Sequence, residues 1–258
     1  MLENIRVVLM ETSHSGNIGA VARAMKNMGL SSLYLVSPRC SKDDEVAVSR
    51  SSGATELLER AIIVPTLAEA VCDCTYVVGT STRARRIDWP AETARVCAGK
   101  ILREKSQDLV ALVFGREDRG LSNEELQFCH AHVFIPANPE FSSLNLAMAV
   151  QVISYEIRMA WLEMIDNCPN NTMSEESAGE GVIGASWDDV PATREETESF
   201  FGHLEEAITA IGFYDPSNPR QLMARLRRLY LRVGLGKTEI NILRGILKST
   251  LKQVEKSV

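Results

Sequence analysis

The chemistry-bearing residues of this chain sit in four polar passages, each following a short apolar run. The first to stand out is Ile135-Pro136-Ala137-Asn138-Pro139-Glu140-Phe141-Ser142-Ser143-Leu144-Asn145-Leu146, where Ser142, Ser143 and Asn145 head a long apolar segment. A helix start leaves four backbone N–H groups without intrahelical partners, so one Ser there serves as a cap. The second Ser, the Asn and the proline-bounded loop exceed what a cap requires and offer hydrogen bonds to a ligand. A second passage, Gly79-Thr80-Ser81-Thr82-Arg83-Ala84-Arg85-Arg86, presents small hydroxyls that bind without filling a ligand's space, although an ordinary turn uses the same residue types. The third is Phe114-Gly115-Arg116-Glu117-Asp118-Arg119-Gly120-Leu121-Ser122-Asn123-Glu124-Glu125. Gly115 allows close approach to the backbone and Gly120 an unusual turn, while Ser122 with Glu125 reads as a capping box. Arg116 and Glu117 read either as a local ion bridge or as part of a site. The fourth passage runs from Glu11 through His14, Gly16, Asn17 and Gly19 to Arg23. Asn17 suits a helix cap, whereas Arg23 interrupts the small apolar run Ile18-Gly19-Ala20-Val21-Ala22, which leaves its guanidinium room to reach the loops. Neither G-x-G-x-x-G nor a phosphate-binding Lys-[Ser/Thr] is present.

These loops must be held by the elements between them. Strands are predicted at Ile5–Met10, Leu33–Val36, Ile62–Val64, Thr75–Gly79, Leu109–Phe114 and Val133–Ile135, and helices at Asn17–Met28, 53–60, 67–72, 92–104, 122–129 and 143–165. Such alternation implies an α/β fold, a parallel sheet with helices on both faces, whose ligands bind at the carboxyl ends of the strands. Each polar passage above falls at such an end. Residues 166–192 carry Asn-Cys-Pro-Asn-Asn-Thr, Ser-Glu-Glu-Ser and Gly-Glu-Gly with little periodicity and read as a flexible acidic linker. Beyond it, Thr193–Gly212, Gln221–Val233 and Glu239–Val254 read as three helices, the first with Phe200, Phe201, Leu204, Ala207, Ile208 and Ile211 on one face. The expected organisation is a domain at 1–165, the linker at 166–192 and a small helical extension at 193–258.

Bulk properties narrow the class. No apolar run approaches the ~20 residues of a membrane span, and the first residues lack a basic segment leading into an apolar one, so the expectation is a cytoplasmic protein. The six cysteines, Cys40, Cys72, Cys74, Cys97, Cys129 and Cys168, form no C-x-x-C pair, and His130 and His132 beside Cys129 lack a second ligand pair; reduced thiols, structural histidines and no metal are expected. The net charge of −6 is unevenly spread: residues 1–162 carry −2, residues 163–206 carry −11, and the stretch from Pro219 onward carries +8. A basic tail behind an acidic connector points to a polyanionic partner, with Arg220, Arg225, Arg227, Arg228 and Arg232 clustered there.

Together the motifs Asn17-x-Gly19-x-x-x-Arg23, Phe114-Gly115-Arg116-Glu117-x-x-Gly120-Leu121 and Ile135-Pro136 through Ser142-Ser143-Leu144-Asn145-Leu146 resemble the SPOUT superfamily of RNA methyltransferases, in order and spacing over residues 1–165. The resemblance implies a deep trefoil knot at the end of the sheet, which periodicity does not reveal and general folding rules disfavour. It implies a homodimer with sites near the subunit interface, S-adenosylmethionine as cofactor, tRNA as partner, and 2′-O-methylation of the ribose of cytidine or uridine at position 32 of the anticodon loop. Thr80, Ser81, Thr82, Gly115, Ile135, Ser142, Ser143 and Leu144 would form the cofactor pocket. Arg23 would be catalytic, supported by Asn17, Glu117, Ser142 and Asn145, with Arg83, Arg85 and Arg86 as a basic loop nearby. A SPOUT enzyme acting on ribosomal RNA, and a SPOUT protein that binds RNA without catalysis, are the alternatives.

Overall fold

A computed structural model describes residues 1–81, 91–105, 107–166 and 190–257. Thr82, Arg83, Arg85, Arg86, Cys168 and linker residues 167–189 lie outside the described residues. Among the described residues, seven strands, β1 (Ile5–Met10), β2 (Ser32–Val36), β3 (Ile62–Val64), β4 (Tyr76–Thr80), β5 (Ala91–Thr93), β6 (Val110–Phe114) and β7 (Ala131–Phe134), form one sheet in the order β3-β2-β1-β6-β4-β7-β5. Every pairing is parallel. Apart from Arg6, the central strands β1 and β6 are apolar because both faces are covered, as parallel sheets require. All six residues of β1 and all five of β6 are buried.

Alternation along β1 divides the core. Ile5, Val7 and Leu9 join the apolar cluster beneath α1 (Ser15–Met28), α3 (Thr55–Arg60), α5 (Ala94–Glu104) and α7 (Leu146–Asp166). Val8 and Met10 join the opposite cluster beneath α4 (Leu67–Val71) and α6 (Asn123–Gln127). Arg6 points the same way as Val8, yet it is buried. Its guanidinium donates to both Asp73 carboxylate oxygens at 2.6 and 2.8 Å and to the Ala70 carbonyl at 2.6 Å, and it lies over the Tyr34 ring. These contacts replace the water that a buried cation loses.

Besides a 3-10 turn at Leu2–Asn4, one strand and one helix lie outside the sequence expectation. The edge strand β5 is only three residues long, and α2 (Glu45–Ser51) lies in a charged stretch with weak periodicity. Asp44 caps α2 by accepting the Val46 N–H at 2.8 Å, but the helix buries only Ala47 and Ser51. It packs against α1 at Gly19, where an added Cβ would stand 2.0 Å from the Ala47 carbonyl oxygen. Gly19 is therefore a helix-packing residue. Gly19→Ala is expected to destabilise the protein although Ala favours helix by about 1 kcal/mol. Forcing atoms into a packed contact costs about 1–3 kcal/mol, and here the obstacle is backbone. Urea denaturation of the variant checks the sign.

After the linker, α8 (Arg194–Ala210), α9 (Leu222–Val233) and α10 (Lys237–Ser257) share a third apolar cluster built on Phe200, Phe201, Leu204, Leu231 and Ile240. The face predicted for the first of these helices holds except for Ile211, which is exposed. A capping box of Thr193 and Glu196 starts α8. There the Arg194 and Glu195 N–H groups donate to the carbonyls of Cys74 and Cys72, and the buried Arg194 guanidinium donates to the Gln127 carbonyl at 3.2 Å. The extension thus docks against the ends of α4 and α6.

Candidate functional site

The carboxyl ends of three adjacent strands, β6, β4 and β7, surround a cleft that encloses about 890 Å³ including its open mouth. Its walls are Thr80 and Ser81 after β4, Phe114 to Leu121 after β6, and Val133 to Ile135 at the end of β7. Ser143, Leu144, Leu146, Ala149 and Ile153 close the remaining side. Of the predicted cofactor residues, Thr80, Ser81, Gly115, Ile135, Ser143 and Leu144 line this cleft, and Ser142 does not. The mixture of apolar walls with hydroxyls and loop backbone at the carboxyl ends of parallel strands suits a small-molecule site.

Gly115 is required for a reason other than the one its motif suggests. A Cβ there would lie 2.1 Å from the Gly120 carbonyl carbon and 2.3 Å from the Leu121 nitrogen, so the close neighbour is the chain's own backbone. Arg116 and Gly120 exchange backbone hydrogen bonds at 3.3 and 2.9 Å, and Gly120 takes a left-handed φ of +69°. The result is a closed hairpin that carries Glu117, Asp118 and Arg119 along one wall.

Three of the predicted supporting residues meet through their side chains. The Asn17 amide donates to Glu117 Oε1 at 3.1 Å, and the Asn145 amide donates to the Asn17 carbonyl oxygen at 3.0 Å. Each residue comes from a different passage, at the start of α1, after β6 and before α7. Asn17 therefore bridges loops and is not a cap; the N-cap of α1 is His14, without a side-chain bond. The prediction of a serine cap for the long helix is also corrected. That helix begins at Leu146, and Asn145 caps it by accepting the Ala147 N–H at 2.9 Å. Burial raises the Glu117 pKa, but hydrogen bonds from Asn17, Ser13 and His14 outweigh it and the group stays below its ordinary value. Glu117 is thus an anion that accepts, holding the β1–α1 loop.

Arg116 does not pair with its neighbour Glu117. Its guanidinium reaches both oxygens of Glu125 at 2.8 and 2.9 Å and also donates to Glu11. Hydrogen bonds from Arg116 and Arg39 bring the Glu11 pKa down from 4.5 to about 2. A lowered carboxylate pKa contributes stability that is complete above the unfolded value and lost as pH falls through about 2. The capping box of Ser122 and Glu125 is present as read. Glu11 and the Arg116–Glu125 pair were missed as site elements, although the nine-residue spacing of a strand-end Arg and a first-turn Glu was visible.

Arg23 is exposed on α1, does not line the cleft and has no hydrogen bond or ion pair among the described residues. His130 is structural: its Nδ1 accepts the Val77 N–H at 3.0 Å, and burial drives its pKa down to about 3. Burial pushes the thiols of Cys74, Cys97 and Cys129 up to about 12. Among the described residues, no group of three His, Cys, Asp or Glu is placed to hold a metal, and no helix is long and apolar enough to cross a membrane.

The sequence model of the SpoU rRNA Methylase family matches residues 4–155, and that of the tRNA methyltransferase TrmJ C-terminal domain matches residues 195–258. The chain belongs to the SpoU methylase family, within the SPOUT superfamily that its motifs resemble. It is 52% identical, over 98% of its own length and 95% of the relative's, to tRNA (cytidine/uridine/adenosine-2′-O-)-methyltransferase TrmJ of Pseudomonas aeruginosa (strain UCBPP-PA14). The crystal structure of TrmJ from Z. mobilis ZM4 matches with a TM-score of 0.76 at 33% identity, covering 95% of this chain and 97% of that one. The SpoU methyltransferase AviRb from Streptomyces viridochromogenes, solved in complex with AdoMet, matches at 25% identity and a TM-score of 0.50 over 62% of each chain.

Proposed function

We propose that this chain transfers a methyl group from S-adenosylmethionine to the ribose 2′-hydroxyl of cytidine or uridine at position 32 of the tRNA anticodon loop. The observation that carries the reading is the cleft at the ends of β6, β4 and β7, walled by the second and third of the motifs that mark the family, with the first held against it through the Asn17–Glu117 and Asn17–Asn145 hydrogen bonds. Near-complete coverage of a TrmJ relative supports tRNA as the substrate class. That relative's name adds adenosine, so the base at the modified position is open to test.

The cleft fits the cofactor by its donor set: Ile135 and Leu144 offer apolar walls for a flat base, and Thr80, Ser81 and Ser143 offer hydroxyls. S-adenosylmethionine supplies a methyl carbon on a sulfonium, open to in-line displacement. The protein's share is orientation and charge. The Glu117–Asn17–Asn145 chain locks three loops into one geometry. A guanidinium offers hydrogen-bond donors and no acceptor, so the role of Arg23 is to orient the target hydroxyl and stabilise developing negative charge together with a neighbouring RNA phosphate.

The chain at the end of the sheet forms the family's trefoil knot. The enzyme works as a homodimer, because Phe141, Leu144, Met148 and Tyr155 leave an apolar stripe uncovered along the start of α7. Arg23, lying outside its own chain's cleft, then serves the cleft of the second copy. Residues 1–165 form the methyltransferase domain, 166–192 the linker and 193–258 a tRNA-contacting extension, with the whole enzyme acting in the cytoplasm.

Methyl transfer from labelled S-adenosylmethionine to bulk tRNA and to ribosomal RNA, followed by nucleoside mapping, tests the reading. Label at position 32 of tRNA is expected; label confined to ribosomal RNA would favour the substrate named in the family's description. S-Adenosylhomocysteine is also expected to raise the melting temperature, since a ligand that binds only the native state stabilises it, whereas ATP and NAD should leave it unchanged. Stabilisation by NAD alone would end the proposal.

A further inference from the structure

We infer that Glu11 and Arg116 are a positioning pair for methyl transfer, setting one wall of the cleft against the β1–α1 loop. The inference rests on the methyltransferase reading above. Glu11 directly follows β1 in a left-handed conformation, φ +42°, which side-chain-bearing residues rarely adopt. Its N–H donates to the Val36 carbonyl at 2.8 Å, so the strained residue is fixed to the neighbouring strand. One carboxylate oxygen accepts from Arg116 and the other from Arg39. A strained backbone retained at the carboxyl end of a strand, beside a ligand cleft, is a common place for function.

Arg116 sits at the base of the hairpin that walls the cleft, with its side chain only 11% exposed. That hairpin grips the β1–α1 loop twice. Arg116 holds Glu11 at the loop's entrance, and Glu117 accepts from the Ser13 N–H and from Asn17 at its far side. The residues that carry Asn17 are thereby registered against the residues that line the cofactor cleft. Removing Arg116 leaves the neighbouring structure supported. Glu11 keeps Arg39, and Glu125 keeps the Ser122 N–H at 2.7 Å, so the end of β1 and the cap of α6 each retain a partner. What disappears is the grip at the loop's entrance, one of the two ties between the loops, while Glu117 keeps the other. Loops that shift by about 1 Å cost a bound reaction roughly a hundredfold in rate, whereas folding depends on the buried sheet.

The test uses the full-length protein with Arg116→Gln, Glu11→Gln and the double variant, measuring melting temperature, S-adenosylhomocysteine affinity, and kcat and KM for tRNA. Each single variant is expected to fold, to bind S-adenosylhomocysteine more weakly and to lose roughly tenfold to a hundredfold in kcat. The double variant should be no worse than the poorer single, because both break one tie. Arg116→Lys should recover part of the loss. Glu11→Gly accompanies these, since glycine takes the left-handed backbone without strain; it should fold well and still lose turnover. Variants that change melting temperature but match wild type in affinity, kcat and KM would overturn the inference, as would losses that simply add in the double variant. If the wild type methylates no tRNA, the function proposed above fails, and the S-adenosylhomocysteine affinities alone decide the pair.

Discussion

Replacing Arg23 with Ala is expected to reduce methyl transfer to tRNA by at least about a hundredfold, the usual loss when one preorganised charge-stabilising donor is removed. Affinity for S-adenosylhomocysteine should be nearly unchanged, because Arg23 is exposed on α1 and does not line the cleft. Folding should be unchanged too, since no hydrogen bond or ion pair of Arg23 occurs among the described residues. Turnover assays and calorimetry on the same preparation separate these effects. A mixing experiment tests delivery between copies. Ile135→Asp places a charge on the cleft wall and should abolish cofactor binding; mixed with Arg23→Ala subunits, it should regain activity that neither variant has alone. Wild-type turnover in Arg23→Ala would remove the residue from its role. Absence of recovery on mixing would return Arg23 to its own chain's cleft.

The second large effect concerns the extension. Truncation after Asp166 removes all ten Lys and Arg residues that follow Pro219. Affinity for tRNA should fall, and its dependence on salt should become shallower by roughly one unit of slope for each lost phosphate contact. Not every cation counts equally: Arg227 is held by Glu198 at 2.6 and 2.8 Å and lies over the Phe201 ring. Arg225, Arg228 and Arg232 recur at helical spacing along α9, and Arg225 and Arg232 are exposed. Because truncation also uncovers the α4 and α6 ends on which Arg194 rests, a full-length triple Arg→Ala variant of these three residues is the cleaner partner. It should lower the slope by about three units with the fold intact. Filter binding across a salt series decides it, and an unchanged slope in both proteins would confine RNA recognition to the first domain.

Much of this was legible without coordinates. The strand–helix alternation, the placement of polar loops at strand ends and six of the seven strands follow from apolar periodicity, because a parallel sheet buried on both faces must be built from short apolar runs. The capping box at Ser122 and Glu125 and the glycine turn at Gly120 were readable because their chemistry is local. The short helix α2 was not, since a helix that buries little leaves little periodicity. Local rules also misassigned residues whose partners are distant. Asn17 is an acceptable cap in sequence, but its hydrogen bonds go to Glu117 and Asn145, 100 and 128 residues away. Arg116 stands beside Glu117 in sequence and pairs instead with Glu11, 105 residues away, and with Glu125.

The sequence by itself determined the class of fold, the loops that matter and the residue types within them, since these depend on periodicity and on spacing within a few turns. Only the tertiary structure decided which residues meet. Hydrogen bonds and ion pairs act over about 3 Å, a distance that chain separation does not predict. Gly115 and Gly19 show the same division: their motif positions were evident, but their need to be glycine arises from the backbones of Gly120 and Ala47, which the fold brings against them.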